Sequence, residues 1–214
     1  MKSTNNYQLK RAKGFTLVEL LIVIGILAIL AAVVVIVLNP AQLLAQARDS
    51  QRIADLDSLR TALVFYLSTF GSPVLGTNQT CYVFSETLAS VDATCAGGVG
   101  GAANAHASST TAGVVRSSRA VDGNGWVPVN FGDITGGSPL PLLPVDPVNN
   151  ASSTDVTPAG LFYVYIPDNT NRTFELNANL ESTRFTSGSD NKELNDGGST
   201  SLLYELGTDP GFNL

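Results

Sequence analysis

The sequence predicts an α+β protein: a long N-terminal transmembrane-plus-amphipathic α-helix packed on a small antiparallel β-sheet head. Three observations predict it. Phe15 to Leu38 is an apolar block broken by one charge, Glu19. Leu56, Leu59, Leu63, Leu67 and Phe70 then recur at spacings of 3, 4, 4 and 3, the stripe of an amphipathic helix. From Trp126 onward the pattern changes to short runs rich in aromatic and β-branched residues, which suit strands.

The charge is divided along the chain. The net charge is −6 over 214 residues. Residues 1–14 hold Lys2, Lys10, Arg11 and Lys13 and no acid, whereas the remainder carries a charge of −10. An acidic body lacks the clustered cations that phosphate backbones require, so no general nucleic-acid binding is expected.

The apolar block is the length of a membrane anchor. Leu20 to Leu38 gives 19 uncharged residues, roughly 28 Å of helix against a hydrocarbon core of about 30 Å. Signal-peptide apolar regions are shorter, about 7–15 residues. The small-x-small site at Ala45-Gln46-Ala47 lies beyond Pro40 and past the apolar run, out of place for signal peptidase. Cations before the span put the N-terminus on the cytoplasmic side and the body outside. Glu19 is the anomaly, because a carboxylate in an apolar span is costly. It either reaches the headgroups or meets a positive partner inside an assembly.

The string Lys13-Gly14-Phe15-Thr16-Leu17-Val18-Glu19-Leu20-Leu21-Ile22-Val23-Ile24 resembles the head of the type IV pilin and type II secretion pseudopilin superfamily. Those precursors have a short basic leader ending in Gly, then Phe-Thr-Leu-Val/Ile-Glu, then an unbroken apolar run. The resemblance covers residues 10–38. It implies that prepilin peptidase cuts the Gly14–Phe15 bond, that the new Phe15 amine is N-methylated, and that Glu19 pairs with that amine on a neighbouring subunit. The physical argument agrees, since mutual pairing offsets much of the cost of burying two charges.

On this reading residues 1–14 are a leader peptide, 15–39 a transmembrane and polymerisation helix, 40–71 its amphipathic half, 72–125 a variable loop region, and 126–214 the sheet head with C-terminal loops. Gly25, Ala28, Ala31 and Ala32 form a small-residue face that permits close helix packing. Pro40 is expected as a flexible point within one continuing helix of roughly 80 Å. Asp49–Arg52, Arg52–Asp55 and Asp57–Arg60 are i,i+3 pairs expected on its wetter side, each contributing a few tenths of a kcal/mol. Gly71-Ser72-Pro73 stops the helix.

The stretch from Pro73 to about Gly125 reads as loop. Between Ala96 and Gly113, 15 of 18 residues are Gly, Ala, Ser or Thr, a flexible composition. His106, the sole histidine, reads as a solvated bystander. Trp126-Val127-Pro128-Val129 suggests an edge strand, because Pro cannot donate to a ladder. Leu161 to Ile166 reads as a strand, Pro167 to Asn171 as a turn, Thr173 to Leu180 as the return strand, and Leu202 to Leu206 as a final strand.

Three smaller constellations remain. Cys81 and Cys95 are the only cysteines; outside the cytoplasm an even count favours a disulfide, with free buried thiols as the alternative. Leu143-Pro144-Val145-Asp146-Pro147 is similar to a Leu-Pro-x-Asp-Pro segment of major pseudopilins and some related pilins and reads as a rigid bend before the hairpin. Asp190 to Gly198 is an acidic, Gly-ended loop. Major pseudopilins bind calcium in a C-terminal loop of similar composition, which makes Asp190 and Asp196, with Ser187, candidate Ca2+ ligands. The spacing does not fit an EF-hand and Lys192 sits among them, so a solvated loop is the competing reading. No catalytic motif is present, and no enzyme is expected.

Two function classes follow. The first is a structural subunit that polymerises through its helix, either a type IV pilus-like filament (fimbrium) subunit or a type II secretion pseudopilin. The second is a membrane-anchored adhesion or binding module that never polymerises. The resemblance implies as partners prepilin peptidase, neighbouring pilin subunits and an inner-membrane assembly platform. It also implies a single-pass inner-membrane stage followed by an extracellular or periplasmic filament.

Overall fold

The structure is a computed structural model that describes residues 14–86, 113–149, 160–209 and 214. It divides into two compact units, one ending at Ala41 and one comprising Gln42–Leu214. The first is essentially helix α1, Leu17–Leu38. Its window Leu17–Val35 is long and apolar enough to cross a membrane, and none of it is buried within the protein.

Helix α1 ends where Asn39 enters the left-handed region, with φ 39°, a conformation Asn tolerates better than most residues. Pro40 then opens α2, Pro40–Thr69. The continuous helix expected across this point is therefore two helices. Asn39 interrupts the hydrogen-bond ladder. Pro40 sits at the first position of α2, where its missing N–H costs nothing.

In the second unit the expected stripe on α2 is realised. Leu56, Leu59 and Leu63 are fully buried, with Ala62 and Tyr66 beside them, while Leu67 and Phe70 pack partly against the same core. They meet a five-stranded sheet of β1 (Tyr82–Phe84), β2 (Val114–Arg116), β3 (Tyr163–Asp168), β4 (Thr173–Ala178) and β5 (Tyr204–Gly207), in the order β2-β1-β3-β4-β5. All neighbours are antiparallel except β1 and β2, which run parallel. Alternation along the strands puts Tyr163, Tyr165, Phe174, Leu176 and Ala178 in the core cluster with α2. Phe162, Val164 and Ile166 point to the other face and are also fully buried.

The β3–β4 turn forms as its composition predicts. The Asp168 carboxylate accepts from the backbone of Thr170 and Asn171 at 2.7 and 3.2 Å, and Arg172 takes φ 57°. Two expectations fail. Trp126 to Val129 is not a strand; it is a buried loop in which the Trp126 amide donates to the Ser118 carbonyl and its indole N–H to the Pro144 carbonyl. And the stretch read wholly as loop supplies β1 and β2. Each strand is three residues long, too short to leave a period.

Two short helices, α3 (Thr183–Thr186) and α4 (Lys192–Asn195), connect β4 to β5.

Candidate processing and assembly site

Gly14, Phe15 and Thr16 form an exposed, non-helical lead into α1. Phe15 keeps 79% of its surface open. A Cβ added at Gly14 would meet nothing within 4 Å, and the same holds at Gly25. Among the described residues, no contact requires either glycine.

Thr16 is the N-cap of α1 and closes a capping box with Glu19. The Thr16 hydroxyl accepts from the Glu19 amide at 3.2 Å, and Glu19 Oε2 accepts from the Thr16 amide at 2.9 Å and from its hydroxyl at 2.7 Å. The box satisfies helix-end donors that would otherwise be unpaired. It also places a negative charge in the first turn, where the helix dipole favours it. Glu19 Oε1 accepts no hydrogen bond among the described residues and remains available. The four-residue pattern Thr16-Leu17-Val18-Glu19 was the signal for this box, and sequence reasoning passed over it.

A second cluster ties α2 to the loops of the head. Arg52 is completely buried, as are Asp49 and Asp146. Its Nε and Nη2 donate to the two oxygens of Asp146 at 2.6 and 3.0 Å, and its Nη1 donates to Asp49 at 2.8 Å. Glu181 completes the shell, 2.6 Å from Arg52 and bonded twice by Arg48. The Asp49 carboxylate also accepts from the amides of Glu181 and Ser182, at 2.9 and 2.8 Å. Burial opposes the Arg52 charge, but its carboxylate partners outweigh that and hold the guanidinium more firmly protonated than usual. The hydrogen bond from Arg48 holds Glu181 below the ordinary carboxylate range. Nearby, the Tyr163 hydroxyl donates to Asp55 at 2.9 Å, and burial raises both groups.

This corrects the reading of Asp49–Arg52 as a pair on the wetter side of the helix. The buried positions Ala45, Asp49, Arg52, Leu56, Leu59, Leu63 and Tyr66 continue one helical stripe, so the stripe turns polar toward its N-terminal end without leaving the core. The Leu-Pro-x-Asp-Pro segment contributes Asp146 to Arg52, and the Asp146 carboxylate also accepts from the Val148 and Asn149 amides. The rigid bend expected there is thereby anchored to α2. Asp57–Arg60 does lie at the surface, at 3.8 Å.

Asp190 and Asp196 each have partners within the chain. Asp190 is 2.9 Å from Lys192 and 3.6 Å from Arg184. The Asp196 oxygens accept from the Gly198 and Glu205 amides at 2.9 and 2.7 Å, and Ser187 donates to the Thr183 carbonyl. Among the described residues no group of three or more His, Cys, Asp or Glu is placed to hold a metal ion. Cys81 is fully buried just before β1, and no free cysteine occurs among the described residues. Cys95 and His106 lie outside them.

Residues 9–35 match the family model of the prokaryotic N-terminal methylation motif, the hallmark of type IV pilins and pseudopilins. The match takes in Gly14, Phe15, Thr16, Glu19 and most of α1. No curated protein and no solved structure matches the chain.

Proposed function

We propose that this chain, a membrane-anchored precursor carrying the N-terminal methylation motif of type IV pilins and pseudopilins, is a structural subunit of a type IV pilus-like filament. The observation that carries the reading is the pairing of that motif with an apolar helix of membrane-spanning length that is unburied among the described residues. Prepilin peptidase removes residues 1–14, Phe15 becomes the methylated N-terminus, and α1 leaves the membrane to pack among the same helices of neighbouring subunits.

The geometry around Glu19 supports its role. The capping box uses one carboxylate oxygen locally and leaves the other for the Phe15 amine of a neighbour. An inert anchor has no need of an acid at this depth. Gly25 and the alanines near it admit close approach of a second helix. A Cys81–Cys95 disulfide belongs to the same reading, for a head folded outside the cytoplasm.

The pseudopilin alternative drew on the acidic loop, whose two aspartates are engaged by cations and backbone amides in this structure. The test is the intact mass and N-terminal sequence of the protein in a sheared surface fraction of native cells. A chain beginning at N-methylated Phe15 in sheared material is expected. A processed chain confined to the membrane fraction would assign it to a pseudopilin or minor component. Retention of Met1 to Gly14 would overturn the filament reading.

A further inference from the structure

The face of the sheet turned away from α2 buries three polar side chains, Glu175, Asn177 and Glu205, none more than 1% exposed. Asn177 lies opposite Glu205 in the β4–β5 ladder, and Glu175 lies opposite Gly207. Glu175 and Glu205 are thus diagonal neighbours, within reach for long side chains. Both carboxyl groups are buried on this one face, and two negative charges held that close without a cation disfavour each other, which favours a proton on at least one of them. None of the ion pairs among the described residues reaches either group.

The same two groups hold the chain that follows α4. Glu205 Oε2 accepts from the Thr200 amide at 2.8 Å. The other carboxyl, Glu175, accepts from the Leu214 amide at 3.0 Å through Oε2 and from the Asn177 amide group at 2.6 Å through Oε1. The loop lies so close that a Cβ at Gly198 would be 2.0 Å from Glu205 Oε2.

We propose that Glu175 and Glu205 form a pH-sensitive clasp, which is protonated at acidic to neutral pH, where it fastens the 198–200 loop and Leu214 to the sheet, and loosens as its protons leave. The charged groups that face the pair reinforce this. Asp209, following β5, acts on Glu175, and Asp196, ahead of β5, acts on Glu205; both are acids and disfavour a second negative charge. Burial is the largest influence on both glutamates and raises them, to about 7 for Glu175 and about 8 for Glu205. The sign follows from linkage. A freed glutamate ionises near pH 4.3, so from about pH 5 the closed clasp holds protons that the open one has released, until both are lost above about pH 8. Closure therefore weakens by up to about tenfold per pH unit for each proton held and levels off above that window.

The experiment is hydrogen exchange on the full chain in detergent micelles. Protection factors, corrected for the intrinsic pH dependence of exchange, are read at pH 6, 7, 8 and 9 for peptides covering β4 and residues 203–214. Wild type should lose at least about tenfold in protection of the 203–214 peptide between pH 6 and 8, with little further change at pH 9. The Glu175→Gln/Glu205→Gln pair, which keeps shape and can hydrogen-bond without a charge, should lose less than half as much. Equal wild-type protection at pH 6 and 8, or an unchanged pH profile in the double variant, would overturn the clasp. Should the double variant not fold, the carboxyl infrared band of the Glu193→Gln chain decides, because burial also pushes Glu193 up to about 7. A protonated carboxyl band that persists at pH 6 and disappears by pH 9 sustains the proposal, and its absence at pH 6 defeats it.

Discussion

Helices α1 and α2 are adjacent in sequence and opposite in design. In α1 every described large side chain is apolar and exposed, apart from Glu19 at its head. In α2 one face is buried without being uniformly apolar, since it runs from Leu63 and Leu59 through Arg52 and Asp49 to Ala45. Among the described residues the apolar surface of α1 is left uncovered, a surface suited to lipid. In α2 the apolar stripe is covered by the head of the same molecule. Asn39 and Pro40 mark the change of partner, and they also mark where the helical hydrogen bonds are interrupted.

That contrast can be broken at α2 first. Arg52→Ala removes the cation from between Asp49, Asp146 and Glu181 and leaves two fully buried carboxylates without it. A loss of about 3–5 kcal/mol in head stability is expected, read by denaturant unfolding of the full chain in detergent. A head as stable as wild type would show that the network is dispensable. Next in size is a matched pair of truncations. Leu59→Ala opens a cavity in the core and should cost about 2–5 kcal/mol. Leu27→Ala on α1, at a side chain 57% exposed in the other unit, should leave head unfolding within about 0.5 kcal/mol of wild type.

A smaller effect sharpens the account of buried acids. Burial pushes Glu193 up to about 7, against about 4.3 when unfolded. Between those values the folded chain holds a proton that the unfolded chain has released, so stability falls as pH rises through this window. Glu193→Gln keeps the acceptor for the Leu180 amide and should raise stability at pH 8, on the order of 1 kcal/mol, while leaving it near wild type at pH 4. An unchanged difference across pH would count against it. The smallest expected effect concerns the acidic loop. With Asp190 and Asp196 already engaged, a chelator should leave the melting temperature unchanged, and a clear fall would reopen the calcium reading.

The sequence was most legible where a single force dominates. The apolar span, the Leu56–Leu63 stripe, the β3–β4 hairpin and the break after Thr69 all follow from periodicity or turn chemistry. It was least legible where charge is buried. Asp49 and Arg52 share the spacing of an exposed i,i+3 pair, and only their place in the stripe distinguishes them. Asp146 needed the tertiary fold to bring it across to α2, because 94 residues separate it from Arg52. β1 and β2 carry no period long enough to detect. Glu19, by contrast, stands out, since one carboxylate in an apolar run is costly.

The most direct test of the central claim, that α1 is built for partners outside its own chain, is filament yield from Glu19→Ala in cells that also express prepilin peptidase. The account predicts a variant that is inserted, cleaved at Gly14–Phe15 and unchanged in head melting temperature, yet recovered in sheared filaments at least about tenfold less than wild type, as expected when an intersubunit charge pair is lost from an apolar bundle. Filaments at wild-type yield from the cleaved variant would contradict it.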